Sequence, residues 1–373
     1  MDEEDLNGED GILSNKTEKG KVWEVPAKLK ISGMRARYYQ TVGLRFHGGE
    51  PGRKKNIESF RIYARKEYGK SYLDTEPILG RKRSKEIKTL VLKYTYQAYR
   101  PQMGKNFNPF NYALALDVAD AIGALVPSHN LVELFINNRS LGMYIAMEHL
   151  SDRSIRNWLD STDFLTFHYK KINPEYNGNS LSVIVHQIRS KYGEDAFAEF
   201  ARRYNVENVI NSIILTSYIA DDDYCQGVDI LDNIHDPAQT RITSINYDLD
   251  HAFIQYYRMK ELRITANRKA FPHIKKGCSQ PCFRSCVYAW VYSESATFRK
   301  LLRERLEYLL KNELSPESVN SMLDEYRRIN AGYFQGAYEK PIAQLAKYAR
   351  ERPQILLNQL KKLENRTQLE KEN

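Results

Sequence analysis

The amino-acid sequence divides into two parts with different hydrophobic patterns, and this division constrains the fold more than any other feature. Before Glu148, short apolar runs separated by glycine and asparagine turns predict β-strands, with one helix among them. After Glu148, apolar residues recur at helical spacing, and one pair of short strands interrupts them. Strands and helices segregated along a chain indicate an α+β protein. The length of 373 residues fits two domains.

The first part predicts a small sheet with a glycine-rich turn. Gly48, Gly49 and Gly52 lie between two strand-like runs, where a glycine-rich turn lets backbone amides approach a phosphate. The pair Asn137-Asn138 joins two apolar runs, and asparagine tolerates the positive φ that a tight hairpin requires. The strands are predicted at 44–46, 59–63, 89–94, 131–136 and 141–146, and the helix at 110–124.

The second part predicts helices around one hairpin. Residues 206–220 place their aliphatic side chains on one broad helical face, and further helices are predicted at 151–158, at 195–204 and beyond 294. Short strands are predicted at 228–231 and 241–247. The residues that most strongly indicate a catalytic or metal site lie on both sides of this hairpin.

Acidic residues cluster on both sides of that hairpin. Asp221, Asp222 and Asp223 directly follow the predicted helix, where the negative end of the helix dipole disfavours carboxylates, so a capping role is poorly motivated. Asp248 and Asp250 end the second strand and point to the same side of an extended chain. A solvated acidic loop is the alternative interpretation. Two such clusters flanking one hairpin favour a site for Mg²⁺ and phosphate groups, because Mg²⁺ prefers oxygen ligands.

The order of these features is that of a phosphoryl-transfer enzyme. Such a reaction needs one aspartate to orient or deprotonate the acceptor and another to hold the metal. Protein kinases take the two from a catalytic loop and a metal-binding loop joined by a short hairpin, in a helical lobe that follows a strand-rich one. The sequence has the same order.

Over residues 45–255 the chain resembles the CotH family, the atypical protein kinases known from bacterial spore coats. The segments that carry the resemblance are LRFHGGEPGR, SFRIYARKEYGKS, DVADAIG, VELFINNRSLGMYIAMEHL, the aspartate cluster and YDLDHAF. The resemblance implies a bilobal, kinase-like fold with an N-lobe at 23–147 and a mainly helical C-lobe at 148–373. It also implies ATP between the lobes, Mg²⁺ or Mn²⁺, and phosphorylation of Ser or Thr in a protein substrate.

The resemblance implies roles for particular residues. Asp222 is the preferred catalytic aspartate, and Asp221 and Asp223 remain alternatives. Asp248 is the metal-binding aspartate, with Asp250 nearby and Gln226 at the position of an amide ligand, where the family more often has asparagine. Glu148 follows the asparagine hairpin, as the family's glutamate does. The candidates for the base that contacts the nucleotide phosphates are Arg45, Arg61, Arg65, Lys66 and Lys93.

Two alternatives keep the kinase-like fold. The family usually has lysines just before its Ser-aromatic-Arg strand, and this chain has Asn56-Ile57-Glu58 there. That departure favours a scaffold that binds partners without catalysis. A kinase-like fold that transfers AMP is the other alternative.

Charge and cysteine content point to further alternatives. The net charge is +9, and because residues 1–20 hold seven acids and two bases, the rest of the chain carries +14. A basic nucleic-acid-binding protein is therefore an alternative, but the basic runs accompany no nucleic-acid motif and fit phosphates or an acidic substrate equally well. Cys278, Cys282 and Cys286 suggest a metal-cluster enzyme, although their spacing matches no zinc or ferredoxin pattern.

The remaining expectations concern the chain start and the compartment. Residues 1–22 are acidic and lack the apolar core of a secretory signal, so a disordered acidic tail is expected there. No apolar run is long enough to span a membrane. Four cysteines in the whole chain exclude a disulfide scaffold. Together these features predict a cytoplasmic protein.

Overall fold

The structure is a computed structural model and describes residues 1–32, 37–48, 58–80, 84–94, 110–168, 175–176, 179–221, 227–236, 239–253 and 283–372. They pack into two compact units. Unit 1 comprises Met1–Ala113 and Pro127–Thr162, and unit 2 comprises Leu114–Val126 and Asp163–Asn373. Unit 1 therefore continues past the lobe boundary predicted after residue 147, and residues 114–126 belong to unit 2 rather than to the strand-rich part. The architecture is mixed α+β, as the sequence predicts.

The strands of unit 1 are β1 (Val25–Ser32), β2 (Arg37–His47), β3 (Ser59–Tyr63), β4 (Leu73–Asp74), β5 (Glu86–Ile87), β6 (Thr89–Tyr94), β7 (His129–Ile136) and β8 (Arg139–Glu148). Strands β4 and β5 form a separate pair, and the other six form one antiparallel sheet in the order β1-β2-β3-β6-β8-β7. The helices of unit 1 are α1 (Glu3–Asn7), α2 (Glu76–Leu79) and α4 (Asp152–Leu159), with a 3-10 turn at Lys21–Trp23; α3 (Phe110–Ala121) includes residues of both units.

The alternation of side chains along these strands gives the sheet two different faces. The apolar face is buried and contributes to the core of unit 1 through Val42, Leu44, Phe46, Phe60, Ile62, Leu90, Leu92, Tyr144 and Ala146. The opposite face carries Arg45 and Arg61, which are directly opposed on β2 and β3. The predicted asparagine turn of the β7–β8 hairpin is confirmed, since Asn137 and Asn138 have φ angles of 47° and 65°.

The start of the chain differs from the predicted disordered tail. Residues 3–7 form α1, and Leu6 and Ile12 are buried in the core of unit 1. The ammonium group of Lys16 pairs with Glu58 at 2.9 Å and lies 5.9 Å from the ring centre of Phe46. The acidic composition of the segment hides its two buried apolar side chains, which are sufficient to pack it on the sheet.

Unit 2 is mainly helical, and its strands are β9 (Phe164–His168), β10 (Glu175–Tyr176), β11 (Asn179–Ser180), β12 (Gly227–Asp232) and β13 (Arg241–Asn246). Three of them form an antiparallel sheet in the order β13-β12-β9. The remaining helices of unit 2 are α5 (Leu181–Arg189), α6 (Gly193–Arg203), α7 (Val206–Tyr218), α8 (Phe283–Glu294), α9 (Ala296–Lys311), α10 (Pro316–Gly332) and α11 (Glu339–Glu372). The predicted hairpin of two strands is confirmed, and β9 is a third strand that the sequence pattern did not indicate.

Candidate functional site

Helix α7 leads into the first acidic cluster. The side chain of Asn205 caps its start by accepting from the amide of Asn208, and every residue from Asn208 to Tyr218 is buried. After the helix, Ile219 and Ala220 are also fully buried, and Asp221 is only 1% exposed. The first aspartate of the cluster is therefore held inside the protein.

Strand β13 leads into the second acidic cluster. Leu249 is buried, whereas Asp248 and Asp250 on either side of it are partly exposed, as the sequence predicts. The strand itself ends earlier than predicted, at Asn246, and Asp248 has a left-handed φ of 63° rather than extended backbone. A tight turn follows, in which the amide of Ala252 donates to the carbonyl of Leu249 at 3.2 Å. His251 within this turn is buried.

The two segments meet. The amide of Phe253 donates a hydrogen bond of 2.7 Å to the carbonyl of Ile219. Phe253 lies three residues after Asp250, and Ile219 lies two residues before Asp221. We call residues 219–221 and 248–253 the two exits, of α7 and β13 respectively. The backbone bond joins them although the hairpin separates them along the chain.

Both exits contain strained backbone. Ala220, Asp248 and Phe253 have φ angles of 54°, 63° and 62°, in the left-handed region that residues with a Cβ atom usually avoid. Such conformations persist only where the surrounding structure enforces them, and they are concentrated at functional sites. Left-handed residues also occur at turns elsewhere, such as Asn233 and Gln335, so the strain agrees with a functional role of the exits but does not single them out.

Buried amide side chains fix β13 against its neighbours. The side chain of Asn208 on α7 donates to the carbonyl of Ser244 at 3.1 Å and accepts from its amide at 2.7 Å. The amide of Asn246 donates to the carbonyl of Leu125 at 2.7 Å. Asn246 also donates through its side chain to the hydroxyl of Ser212 at 3.1 Å. These bonds set where β13 ends and hence where Asp248 begins its turn.

The last helix of the chain covers the end of α7. Arg352 on α11 is completely buried; it donates through Nε to the carbonyl of Tyr218 at 3.2 Å and through Nη2 to the carbonyl of Ser217. The hydroxyl of Tyr348 donates to the same carbonyl of Tyr218. A buried cation at the negative end of a helix is stabilising. No pattern near Arg352 in the sequence signals this role, because its partners lie more than 130 residues away.

The ring of Tyr218 is buried beside this arginine. Burial raises the pKa of the Tyr218 hydroxyl, and the nearby Tyr348 raises it further, while Arg352 opposes the shift. The neutral ring of Tyr218 packs edge to face against Tyr348.

Some predicted site residues lie outside the described residues. These are Asp222, Asp223 and Gln226, and likewise Cys278 and Cys282. Among the residues that the structure describes, no group of three or more His, Cys, Asp or Glu side chains is arranged to hold a metal ion.

The donor set still fits a magnesium ion, in the way this cation is usually bound. Mg²⁺ is held by one or two protein carboxylates, with water and substrate phosphates completing its shell. The β13 exit presents two partly exposed carboxylates, Asp248 and Asp250, on a turn of fixed geometry. A cluster of three protein ligands is therefore not required.

Two of the predicted phosphate-contacting bases lie side by side in unit 1. Arg45 and Arg61 occupy directly opposite positions on β2 and β3, where like charges repel. Nη2 of Arg45 donates a hydrogen bond to the hydroxyl of Tyr63, and Nη2 of Arg61 lies 2.9 Å from Nδ1 of His47. The Nε atoms of both arginines are buried and have no hydrogen-bond partner among the described residues. An anion bound at this pair relieves both the repulsion and the unmet donors.

The other predicted bases have different surroundings. Arg65 forms a two-pronged ion pair with the buried carboxylate of Glu24 at 2.6 and 2.8 Å, so its guanidinium group is already engaged. Lys66 is exposed in a turn. The ammonium group of Lys93 lies 4.8 Å from the ring centre of Tyr112. Arg65 also lies 4.7 Å from the ring centre of Tyr63, and Arg45 lies 5.0 Å from the same ring centre. Lys93 lies on the same face of the sheet as Arg61, because it is two residues from the strand partner of Arg61. Arg45 and Arg61 differ from the other three in occupying directly opposed positions and in having unmet buried donors.

Glu148 ends β8 in a buried position. Its carboxylate accepts from the hydroxyl of Ser84 at 2.9 Å and from the indole of Trp158 at 3.0 Å. Both contacts belong to unit 1. They fix the orientation of the carboxylate that the sequence resemblance singles out.

The protein combines an α+β fold with carboxylates at the point where the end of the buried helix α7 meets the end of the β12–β13 hairpin. The family model described as CotH kinase protein matches residues 44–362. The chain therefore belongs to the CotH kinase protein family, which confirms the resemblance. The match extends beyond the segments in which the sequence resemblance was noted and includes Tyr348 and Arg352. No curated protein matches the chain.

The helices that the structure describes do not resemble membrane spans. Within the described ranges, none of them combines the length and the apolar character needed to cross a bilayer.

Proposed function

We propose that the protein is an ATP- and divalent-metal-dependent protein kinase with a kinase-like bilobal fold that phosphorylates Ser or Thr residues of a protein substrate. Membership of the CotH kinase protein family supports a kinase-like function. The observation that carries the proposal is the hydrogen bond between Phe253 and Ile219, because it brings the acidic segments after α7 and β13 into one region.

We assign the aspartates two different roles, one toward the acceptor hydroxyl and the other toward the metal ion. Asp222 is proposed as the catalytic residue that orients the acceptor hydroxyl and accepts its proton. As the acceptor oxygen bonds to the γ-phosphorus, the bond from that phosphorus to the β–γ bridging oxygen breaks and ADP leaves. Asp248 and Asp250 hold Mg²⁺ or Mn²⁺, which when bound neutralises charge on the phosphate oxygens. Asp221, which is buried, supports the start of the acidic segment rather than contacting the substrate.

The basic face of unit 1 supports the nucleotide part of the proposal. Arg45 and Arg61 present guanidinium groups with unmet buried donors on neighbouring strands. Guanidinium groups bind phosphate through paired, charge-assisted hydrogen bonds. This pair replaces the lysines that the family usually has before its Ser-aromatic-Arg strand.

The proposal is tested by transfer of label from ATP to a mixture of candidate proteins in the presence of Mg²⁺ or Mn²⁺. We expect label from the γ-position to appear on Ser or Thr, label from the α-position not to be transferred, and chelation of the metal to abolish transfer. Asp222→Ala and Asp248→Ala should abolish it while the fold is retained.

A matched control is Asp324→Ala. Asp324 is an exposed aspartate on α10 that pairs with Arg327 at 2.5 Å, and its removal should leave transfer unchanged. Transfer of α-label would support nucleotidyl transfer instead. Absence of any transfer, with no thermal stabilisation by ATP and metal, would support a scaffold without catalysis.

A further inference from the structure

Two side chains of the last helix contact the end of α7. Tyr348 and Arg352 are four residues apart on α11, so they lie on the same face of that helix. Tyr348 is 4% exposed and Arg352 is completely buried.

The donor atoms of Tyr348 and Arg352 form hydrogen bonds with carbonyl groups at the C-terminal end of α7. The last four carbonyls of an α-helix have no partner within the helix. In α7, the carbonyl of Tyr218 accepts from both Tyr348 and Arg352, and the carbonyl of Ser217 accepts from Arg352. The acidic segment begins three residues after Tyr218. The direction in which the chain leaves α7 is thus set by α11.

The ring of Tyr348 also reaches the second exit. It packs edge to face against Tyr218 with ring centres 6.0 Å apart and against Phe253 with ring centres 5.1 Å apart. Phe253 is the residue whose amide bonds to Ile219. One side chain therefore contacts the end of α7 and the end of the β13 exit.

Burying a guanidinium group in the interior of a protein costs free energy. Removing its charge from water is unfavourable, and apolar residues of similar volume often stabilise a protein more than buried charged groups do. The partners of Arg352 are the backbone carbonyls of the α7 end rather than a surface carboxylate. The arrangement is therefore better suited to fixing a segment than to increasing stability.

We propose that Arg352 and Tyr348 are positioning residues that hold the α7 exit against the β13 exit and thereby fix Asp248 and Asp250 in place for the proposed metal–phosphate site. The inference rests on the proposed function and assigns to α11 a part in the same reaction. Neither residue is proposed to contact the substrate. Their effect is on where the acidic segments lie.

Arg305 provides a matched control for a structural role alone. This arginine of α9 lies in the same unit and donates to Oδ1 of Asn211 at 2.9 Å and to the carbonyl of Ile122 at 3.1 Å. Like Arg352, it forms a hydrogen bond with a backbone carbonyl of another segment of the chain. Neither Asn211 nor Ile122 lies within the two exits. Arg305→Met should lower stability without changing the site.

The experiment compares Arg352→Met, Arg352→Lys, Tyr348→Phe and Arg305→Met in the full chain, well below their melting temperatures. For Arg352→Met we expect phosphate transfer to fall and the Mn²⁺ concentration needed for half-maximal activity to rise, each by about 10- to 100-fold. Arg352→Lys retains the charge and should recover part of the loss. Tyr348→Phe loses one donor and should show a smaller change of the same kind.

Amide hydrogen exchange supplies a readout that does not need activity. Arg352→Met should accelerate exchange at Ile219 and Phe253 by about tenfold, as expected for loss of a supporting hydrogen bond. Arg305→Met should leave exchange at these two amides unchanged at a comparable loss of melting temperature.

Two results would overturn the inference. One is an Arg352→Met protein that is folded and keeps wild-type metal dependence and exchange. The other is an Arg305→Met protein with the same loss of transfer and the same faster exchange at the exits. If the wild-type protein transfers no phosphate, the proposed function fails, and the exchange comparison still decides whether α11 holds the exits.

Discussion

The amide of Phe253 bonds to the carbonyl of Ile219 at 2.7 Å, and this contact joins the residues after β13 to the residues after α7. Each of the two segments carries aspartates and left-handed backbone. The contact turns two acidic stretches that are separate in the sequence into one region of the protein. The account of function depends on this juxtaposition.

The strained backbone of the α7 exit gives the first prediction. Because Ala220 has a φ of 54°, Ala220→Gly removes a Cβ penalty of about 1–2 kcal/mol, which offsets the loss of its buried methyl group and the greater freedom of the unfolded chain, so the free energy of unfolding should change by less than about 0.5 kcal/mol. Ala201→Gly, within α6, should instead lower it by about 0.5–1 kcal/mol. Denaturant unfolding measures both values. Equal destabilisation by the two changes would show that Ala220 is not strained.

The buried amide of Asn208 gives the second prediction. Asn208→Ala removes both hydrogen bonds to the backbone of Ser244 and leaves buried groups unsatisfied, so it should destabilise the protein by about 2–4 kcal/mol. Asn358→Ala, on the exposed side of α11, makes the same chemical change and should stay within about 0.5 kcal/mol of the wild type. A small effect at Asn208 would contradict its role in fixing β13.

The arginine pair of unit 1 gives the third prediction. Arg45→Gln and Arg61→Gln each remove a charge-assisted contact, so each should weaken binding of ATP with Mg²⁺ by about 10- to 100-fold in Kd. Calorimetric titration measures this constant. Arg139→Gln, at the exposed turn of the β7–β8 hairpin, should leave the Kd unchanged. An unchanged Kd in both sheet variants would remove the pair from the nucleotide site.

The packed start of the chain gives the fourth prediction. Ile12 is 2% exposed, so Ile12→Ala should destabilise the protein by about 2–4 kcal/mol through lost burial and a cavity. Val22→Ala, at a side chain that is 84% exposed, should have little effect. If thermal unfolding shows that Ile12→Ala and Val22→Ala both leave the stability unchanged, residues 1–22 would be better described as a disordered tail.

Local patterns predicted much of the fold. The asparagine turn, the buried face of α7 and the β12–β13 hairpin depend on residues close together in the sequence, and turn chemistry and hydrophobic period report such features directly. The burial of Leu249 between two partly exposed aspartates was also predicted, although the backbone at Asp248 is left-handed rather than extended. These elements sufficed to locate both acidic exits.

Features that depend on distant contacts were not predicted. The packing of Leu6 and Ile12 is hidden by the acids around them, and β9 is short and lacks a clear turn signal. The bonds of Arg352 to the end of α7 join residues whose proximity only the folded chain creates. Which of the five predicted bases lie together also required the strand register, which pairs Arg45 with Arg61.

The fifth prediction concerns the central claim that the acids after α7 and after β13 belong to one phosphoryl-transfer site. It is tested most directly by a double-mutant cycle on Mn²⁺ binding, measured calorimetrically with a non-hydrolysable ATP analogue present. The proteins are the wild type, Asp222→Asn, Asp248→Asn and the double variant, with Asp324→Asn as the control. We predict that Asp248→Asn weakens binding by removing a metal ligand, that Asp222→Asn weakens it less by removing a nearby negative charge, and that the two changes are non-additive, with a coupling of about 0.5–3 kcal/mol. Wild-type Mn²⁺ affinity in Asp248→Asn, or strictly additive effects of the two changes, would contradict the account.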